Sequence, residues 1–514
     1  MKNTIDIIKI AENDNVAVVT NEQGLFANTS VWEGLSIVED IPFSQKISLE
    51  PIKKDAPIIR YGVAIGYALH DIPQGSWVSE KSMYILENPS LDEAMLENIP
   101  FEVDYRFEND SPLESDYFWG YRNENGTVGT RNILAINITV QCVKGVVDRA
   151  IDEIKKELLP KYPNVDGVVQ INHLYGCGVA INAKEAAIPQ RTISNIADNP
   201  NFGNEKLVVS LGCEKFIPEN AFQVTADTNP ENLVVLQECH GFQDMINKIC
   251  ERADSMLQRL NKRTRERVPV SNLVVGLQCG GSDAFSGMTA NPAIGYAADL
   301  LVQQGAKVMF SEVTEVRDAS EIMLKRVRDK ETRIKLIQQL NWYDDYLKVG
   351  EVDRSANPSP GNKKGGLSTV IEKAMGSVAK SGTAEIVDVL APGEKIKKSG
   401  MTFAATPASD FVCGTQQLAS GMTVEVFSTG RGTPYNLEQC PVIKVATNSA
   451  LYNKWFDIMD YDAGIISKGE ATLEEAGRLL YEYILDVSSG NKTTCADKLQ
   501  IYNDLAIFNP AQIT

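Results

Sequence analysis

The chain has 514 residues, 43% hydrophobic and 23% charged, values of a soluble globular protein with about three domains at roughly 150 residues each. Fifty Lys and Arg against 68 Asp and Glu leave a formal charge of −18, a field that repels nucleic acid, and no basic run offsets it. No stretch approaches the ~20 apolar residues of a membrane span, so neither nucleic acid nor membrane is an expected partner.

The start, Met1 to Asn15, interleaves Lys2, Asp6, Lys9 and Glu12 with isoleucines and lacks the apolar centre of a secretion signal. Short alternating runs at Asn15–Thr20, Gln45–Leu49 and Ile58–Tyr61, set between Gly, Pro and Asn turns, predict a small β-rich domain over residues 1–88. Residues 89–118 carry Asp92, Glu93, Glu97, Glu102, Asp104, Glu108, Asp110, Glu114 and Asp116 with little periodicity. They read as an acidic linker, a solvated connector in the simpler reading or a strap draped over another domain in the other.

From Gly120 the rhythm changes. Strand patterns at Asn132–Val140, Gly167–Ile171, Lys206–Leu211 and Leu233–Leu236 alternate with helical ones at Val143–Leu159, Lys184–Ile196 and Phe242–Lys262. After a polar break at Asn261–Arg267, a second series has strands at Asn272–Gly276, Lys307–Phe310, Thr402–Ala405, Thr423–Phe427 and Val442–Val445. Such alternation predicts two α/β domains, 119–268 and 269–514, with mostly parallel sheets and helices on both faces.

The unusual residues fall just after these strands. Glycine-rich turns follow at Asn172–Gly178, Gly212–Lys215, Gln237–Gly241, Gln278–Gly287, Ser311–Asp318, Thr406–Gly414 and Ser428–Pro434. Ligands of open α/β sheets bind beyond the carboxyl ends of the strands, so these turns are expected to line a cleft. His173, between an apolar strand and a Gly-Cys-Gly turn, reads as a base, a metal ligand or a hydrogen-bonded structural histidine; His70 and His240 carry weaker signals. With three histidines in all, a histidine-rich metal centre is excluded. Nine cysteines without an export signal indicate a reducing cytoplasm, where thiols are core residues or ligands. Cys177, Cys213, Cys279 and Cys413 lie in the turns, whereas Cys142 stands at a strand end; no Cys-x-x-Cys marks a zinc site. Asp353–Gly366 is stiffened by Pro358 and Pro360 and gathers Arg354, Lys363 and Lys364 in a strongly acidic chain. Its lysines suit a substrate carboxylate, or serve as a base if desolvated, and the spacing is not that of a nucleotide-binding P-loop.

Gly120–Asn123, Leu159–Asp166, His173–Asn182, Cys279–Pro292, Arg354–Gly366 and Thr406–Gln417 together resemble the UxaA family of sugar-acid dehydratases, and the likeness runs through nearly the whole chain. The resemblance implies an N-terminal domain of the SAF type, a Rossmann-like middle domain and a C-terminal α/β catalytic domain. It also implies a metal-dependent hydro-lyase acting on a sugar diacid such as galactarate, with iron(II) first and Mn2+ or Mg2+ as alternatives, in a homodimer or larger homo-oligomer. Where family members usually carry histidines in the N-terminal domain, this chain has Ala11 and Gln45, with His70 as the one replacement at hand.

Dehydrating an aldarate removes a proton α to a carboxylate and expels the β hydroxyl. The site therefore needs a cation at the enediolate, a base and an acid. Under this reading a subset of His173, Cys177, Asp283, Glu312 and Asp410 holds the metal. Lys363, Lys364 and His173 carry the chemistry, and Arg354, Asn357, Asn362, Arg431 and Ser282 bind substrate. Replacing Lys363 or Lys364 by Ala is expected to abolish turnover without unfolding. The alternatives are an iron–sulfur hydro-lyase with cysteines drawn from Cys177, Cys213, Cys279 and Cys413, a dehydratase of glucarate or altronate, and a sugar-acid-binding protein without catalysis.

Overall fold

The computed structural model describes residues 6–32, 34–86, 91, 99–108 and 116–511. The first domain is built from short antiparallel strands. Val16–Val19 pairs with Ile7–Ile8 on one side and Lys46–Ser48 on the other, and Trp77–Val78 extends that sheet. A second sheet joins Pro57–Arg60, Val63–Ala68 and Met83–Tyr84.

Most of the acidic segment (87–90, 92–98 and 109–115) lies outside the described residues. Residues 99–108 do not form the solvated connector of the simpler reading. Tyr105 donates to the Asp299 carbonyl at 2.9 Å, Arg106 pairs with the Asp299 carboxylate at 2.8 Å, and Phe107 meets Tyr296 edge-on. An ion pair and two aromatic side chains thus pin this stretch to the third domain.

In the middle domain β1 (Ile133–Ile138), β2 (Gly167–Ile171), β3 (Leu207–Ser210) and β4 (Leu233–Val235) form an all-parallel sheet of order β2-β1-β3-β4. Helices α1 (Lys144–Glu153), α2 (Ala187–Ala197) and α3 (Gly241–Leu260) cover it. Helix α3 buries Ile246, Ile249, Ala253, Met256, Leu257 and Leu260, the one-sided stripe of a 3.6-residue period.

The third domain is larger. Strands β5 (Val274–Cys279), β6 (Lys307–Phe310), β7 (Ile386–Leu390), β8 (Gly400–Ala404), β9 (Val424–Thr429), β10 (Val442–Ala446) and β11 (Tyr461–Asp462) make a parallel sheet of order β7-β8-β6-β5-β9-β10-β11. Its helices include α4 (Ala290–Gln303), α5 (Val370–Val378) and α6 (Asp410–Ala419). Continuous Val-, Leu- and Phe-rich runs buried on both faces, as in β5 and β9, are what a parallel sheet with helices on each side requires. Strands β7 and β11 lie at the two edges, where the pattern is weak: Asp388 interrupts one and the other has two residues.

The two α/β domains share a core. Leu134, Ile136 and Ile138 of β1 face α1 and α3, while Ile133 and Ala135, on the opposite face, pack with Ile196 of α2, Leu418 of α6 and Phe427 of β9. Helices α2 and α6 run parallel: Thr192 Oγ1 bonds Gln416 at 3.1 Å, and further along Asn199 donates to the carbonyls of Leu418 and Met422 at 3.1 and 2.9 Å. The amino ends of both helices therefore lie on one side, and with them the turns at the carboxyl edges of both sheets.

Candidate active site

At the carboxyl edge of the third domain, β5 ends on Cys279 and β6 leads into Glu312 and Glu315. Glu312 is 1% exposed and has φ +75°, left-handed backbone that costs a non-glycine residue about 1–3 kcal/mol and persists only where the surroundings impose it. Ligand atoms of Cys279, Glu312 and Glu315 all lie within 4.8 Å of one another, the one such group of three among the described residues. Two ammonium groups face them. Lys373 on α5 sits 2.6 Å from Glu315, and Lys380, in the turn after α5, lies 3.0 Å from the Cys279 sulfur and 3.6 Å from Glu312. Asp410, first residue of α6, closes the group beside Gly280, where an added Cβ would come within 2.5 Å of its carboxylate.

The environment drives these groups apart. Burial, with Glu315 adding to it, pushes the Glu312 carboxyl well above its ordinary range, against Lys380. Burial also pushes Glu315 up, but Lys373 and Lys380 outweigh it and hold that carboxyl below its usual value. Asp410 is raised to about 6 by burial and by Glu315. The Cys279 thiol is pushed up to about 11 by burial, against Lys380. Desolvation works against both lysines, yet Glu315 raises Lys373, and the acidic group of Cys279, Glu312 and the ionised Glu315 raises Lys380, above the ordinary lysine value. Neutral and ionised carboxyl groups side by side are the material of paired acid and base catalysis.

The expected metal set does not assemble. Of its five members only Glu312 belongs to the close trio. His173 is in the middle domain with its Nε2 2.7 Å from the Ile138 carbonyl, away from the trio, and burial pushes its imidazole down to about 4. Cys177 is exposed on the same domain. Both Asp283 oxygens are used: Ser286 donates from backbone and hydroxyl at 2.9 and 3.1 Å, Thr447 at 3.0 Å and Asn448 at 3.2 Å. Asp283, raised by burial to about 6, is a hub of the turn, because its other bonds leave no oxygen for a metal. His70 is exposed in the N-terminal domain, among the turns that join its strands.

The expected substrate residues surround the Gly280–Asp283 turn unevenly. Arg431 is exposed and its amide donates to Gly281. Ser282 is buried, its hydroxyl without a hydrogen-bond partner among the described residues. Asn362 donates to the Ser282 carbonyl at 2.9 Å. Asn357 accepts from Lys373 at 3.0 Å, so it positions that lysine. The Arg354 guanidinium is already paired with Asp318 and lies 3.7 Å from Asp344. Lys363 is half-buried against a cavity of about 710 Å³ that Met83 and Tyr84 of the N-terminal domain help to line; Lys364 is exposed.

The N-terminal domain grips the turn behind these lysines. Gly366 has φ +93°, and a side chain there would lie 1.9 Å from the Ser44 carbonyl. Gln45 donates to the carbonyls of Lys364 and Lys363 at 3.1 and 3.5 Å. Below it Lys46 and Arg60 close on Glu372 of α5, all three fully buried. Glu315, Glu372, Lys373 and Lys380 were not singled out by the sequence. The available signal was charge among the apolar residues of α5, with Glu372 and Lys373 inside the helix and Lys380 in the turn after it.

Three family descriptions match in order along the chain: the altronate/galactarate dehydratase SAF domain at residues 5–85, the D-galactarate dehydratase/altronate hydrolase second domain at 120–261, and the D-galactarate/altronate dehydratase C-terminal domain at 270–513. Galactarate dehydratase (L-threo-forming) of Escherichia coli K12 is 55% identical over 515 residues, covering 99% of this chain and 97% of that protein. Altronate dehydratases of Escherichia coli K12 and Bacillus subtilis 168 are 34% and 31% identical, each over 98% of both chains. The chain therefore belongs to the D-galactarate/altronate dehydratase family.

Proposed function

We propose that this chain dehydrates galactarate to 5-dehydro-4-deoxy-glucarate. The observation that carries the reading is 55% identity, over nearly the whole of both chains, to a galactarate dehydratase. The buried charges support it. Lys373 and Lys380 supply positive charge where the enediolate develops it in negative form. Asp410, partly exposed at the start of α6 and raised to about 6, takes the α proton. Glu312, kept neutral by burial, gives its proton to the departing hydroxide, so water leaves and an enol remains to form the 2-oxo acid. Arg431 and Lys364, both exposed beside the turn, bind the far carboxylate in place of Arg354, whose charge is spent on Asp318.

The iron that the resemblance implies belongs to this proposal, but the third-domain trio does not fit a divalent ion. Lys373 and Lys380 already stand at Glu315, Glu312 and Cys279, and burial keeps the thiol protonated. The steps above accordingly run through the chain's own groups. Nine cysteines without a disulfide suit a reducing compartment such as the cytoplasm, and no helix among the described residues is long and apolar enough to cross a membrane.

Galactarate, glucarate and altronate, assayed anaerobically with Fe2+, Mn2+ or Mg2+, are to be compared by 2-oxo acid formation. Turnover of galactarate above the others is expected; altronate, the second reading, is favoured by the two altronate dehydratase relatives. A chain that turns over altronate alone overturns the substrate, and one that makes no 2-oxo acid overturns the reaction.

Two further outcomes follow from the assignments. The kcat/KM profile is expected to rise with pH through about 6 as Asp410 ionises, and Asp410→Asn to lose that limb along with about 10²–10⁴-fold in rate. An unchanged profile in Asp410→Asn removes it as the base. Arg431→Ala and Lys364→Ala are expected to raise KM for galactarate more than they lower kcat, since both act on the unreacting end.

A further inference from the structure

We propose that Tyr61 of the N-terminal domain is a positioning residue of the active site, its hydroxyl holding, with that of Ser282, one water molecule at the Gly280–Asp283 turn. Tyr61 and Gly62 form the turn between Pro57–Arg60 and Val63–Ala68, where Arg60 pairs with Val63. A two-residue hairpin turn with positive φ at both positions favours Asn-Gly, and Gly62 (φ +75°) fits. Tyr61 (φ +59°) does not: left-handed backbone is rare for a bulky side chain and persists only where the surroundings impose it. Here the surroundings are the third domain. The Arg60 guanidinium, already paired with Glu372, lies 4.6 Å from the centre of the Tyr61 ring and donates to the Ala284 carbonyl at 2.6 Å.

The hydroxyl reaches two glycines of the third domain. A Cβ at Gly287 would come within 2.2 Å of it, and one at Gly376, on α5, within 3.3 Å. Neither glycine has positive φ, so the close approach, and not the local backbone, leaves no room for a side chain at Gly287. Yet the buried hydroxyl has no hydrogen-bond partner among the described residues. Burial, against Arg60, pushes it up to about 12, so it stays a neutral donor. The Ser282 hydroxyl is likewise buried and without a partner. Buried polar groups are costly when unpaired, and nearly all find a partner in protein or water. Tyr61 and Ser282 line one cavity of about 10 Å³, close to the least that a water molecule needs. Two hydroxyls around that space supply the polar partners a buried water requires.

Cys279, Lys373 and Ser377 line the same cavity, so it lies against the buried charges. The consequence runs through the turn. Gly280 packs against the Asp410 carboxylate, the Gly281 carbonyl accepts from the Arg431 amide at 3.0 Å, and the Ser282 carbonyl accepts from Asn362 at 2.9 Å. A water tied to Tyr61 and Ser282 thus lets the N-terminal domain fix the turn against which Asp410 rests. Ser282, expected from the sequence to bind substrate, is assigned to the water instead. The effect on turnover rests on the dehydratase reading; the water site does not.

The test compares the full-length wild type with Tyr61→Phe, Ser282→Ala and the double variant, each checked for folding by circular dichroism. Tyr61→Phe keeps the ring on Arg60 and deletes the hydroxyl alone. A crystal structure of the wild type is expected to show a water within hydrogen-bond distance of both hydroxyls, and that of Tyr61→Phe to lack it. Each single variant is expected to lose about 10-fold in kcat on galactarate with KM within about twofold, since a misplaced reacting group costs rate rather than binding. The double variant is expected to lose about 10-fold as well, not about 100-fold, because either change releases the same water. A dry cavity in the wild type overturns the proposal. So do single variants with wild-type kcat, or single losses that multiply in the double variant. Should the wild type turn over no sugar acid, the dehydratase reading falls, and the density in the two crystal structures decides the water by itself.

Discussion

Glu372→Ala is expected to lower unfolding free energy by about 3–5 kcal/mol, the usual cost of removing one partner from a buried ion pair. Glu372 meets Lys46 at 3.0 Å and also pairs with Arg60, and all three side chains are at most 2% exposed. Burial pushes the Glu372 carboxyl up, but Lys46 and Arg60 outweigh it and hold it below its usual range. Burial also pulls the Lys46 ammonium below its ordinary value, so the substitution strands two cations in a dry interior. The linkage sign follows from the depressed carboxyl. Its contribution is complete above the ordinary Glu range and disappears as acid titrates it through its lower folded value. Urea unfolding of Glu372→Ala beside a Lys46→Met, Arg60→Met, Glu372→Leu triple variant checks the origin: the triple variant is expected to recover much of the loss, because no charge is left unpaired. A single variant as stable as the wild type removes the ion triad as the bond between the N-terminal and third domains.

Lys380→Met is expected to reduce kcat by about 10²–10³-fold with little change in KM, the effect of deleting one donor aimed at developing charge. The same variant carries a signature in stability. With the ammonium gone, Glu312 and Glu315 share their buried site with Lys373 as the remaining cation. Glu312, whose folded value already lies well above its ordinary one, loses the lysine that opposes that rise and moves further up. A folded carboxyl above its unfolded value binds protons the unfolded chain does not, so stability falls as pH rises. The Tm deficit of Lys380→Met is therefore expected to be larger at pH about 8.5 than at pH about 6. A deficit that does not change with pH, or a kcat close to wild type, argues that Lys380 fills space only.

The architecture was readable because its signals are local. Runs such as Val274–Cys279 and Val424–Thr429 announce buried parallel strands on their own, and the glycines after them mark turns. Glu312 and Asp410 were noticed for the same reason, as acidic residues inside such turns. What escaped was pairing at a distance. Lys46 and Glu372 are 326 positions apart, and only the docking of one domain on another decides that they meet. Lys373 sits in a helix that reads as amphipathic, where charge normally marks the solvated face, and Lys380 in the turn after it. Lys363 and Lys364 drew notice by standing together between prolines and glycines, yet one lines a cavity and the other faces solvent. Among the cysteines, the sequence set Cys142 apart, at a strand end, from the four in the turns. Strand order, which brings β1 between β2 and β3, puts it on the same sheet edge as Cys177 and Cys213.

The ion triad also bears on how the chain is made. Lys46 and Arg60 leave the ribosome early, whereas their carboxylate is translated more than half the chain later. Domains fold as units in order of synthesis, so the nascent first domain carries both cations in water until α5 emerges and seats beneath them. Final assembly thus waits for the last third of translation, and a ribosome stalled before residue 372 holds a first domain whose Lys46 and Arg60 still lack the carboxylate they close on.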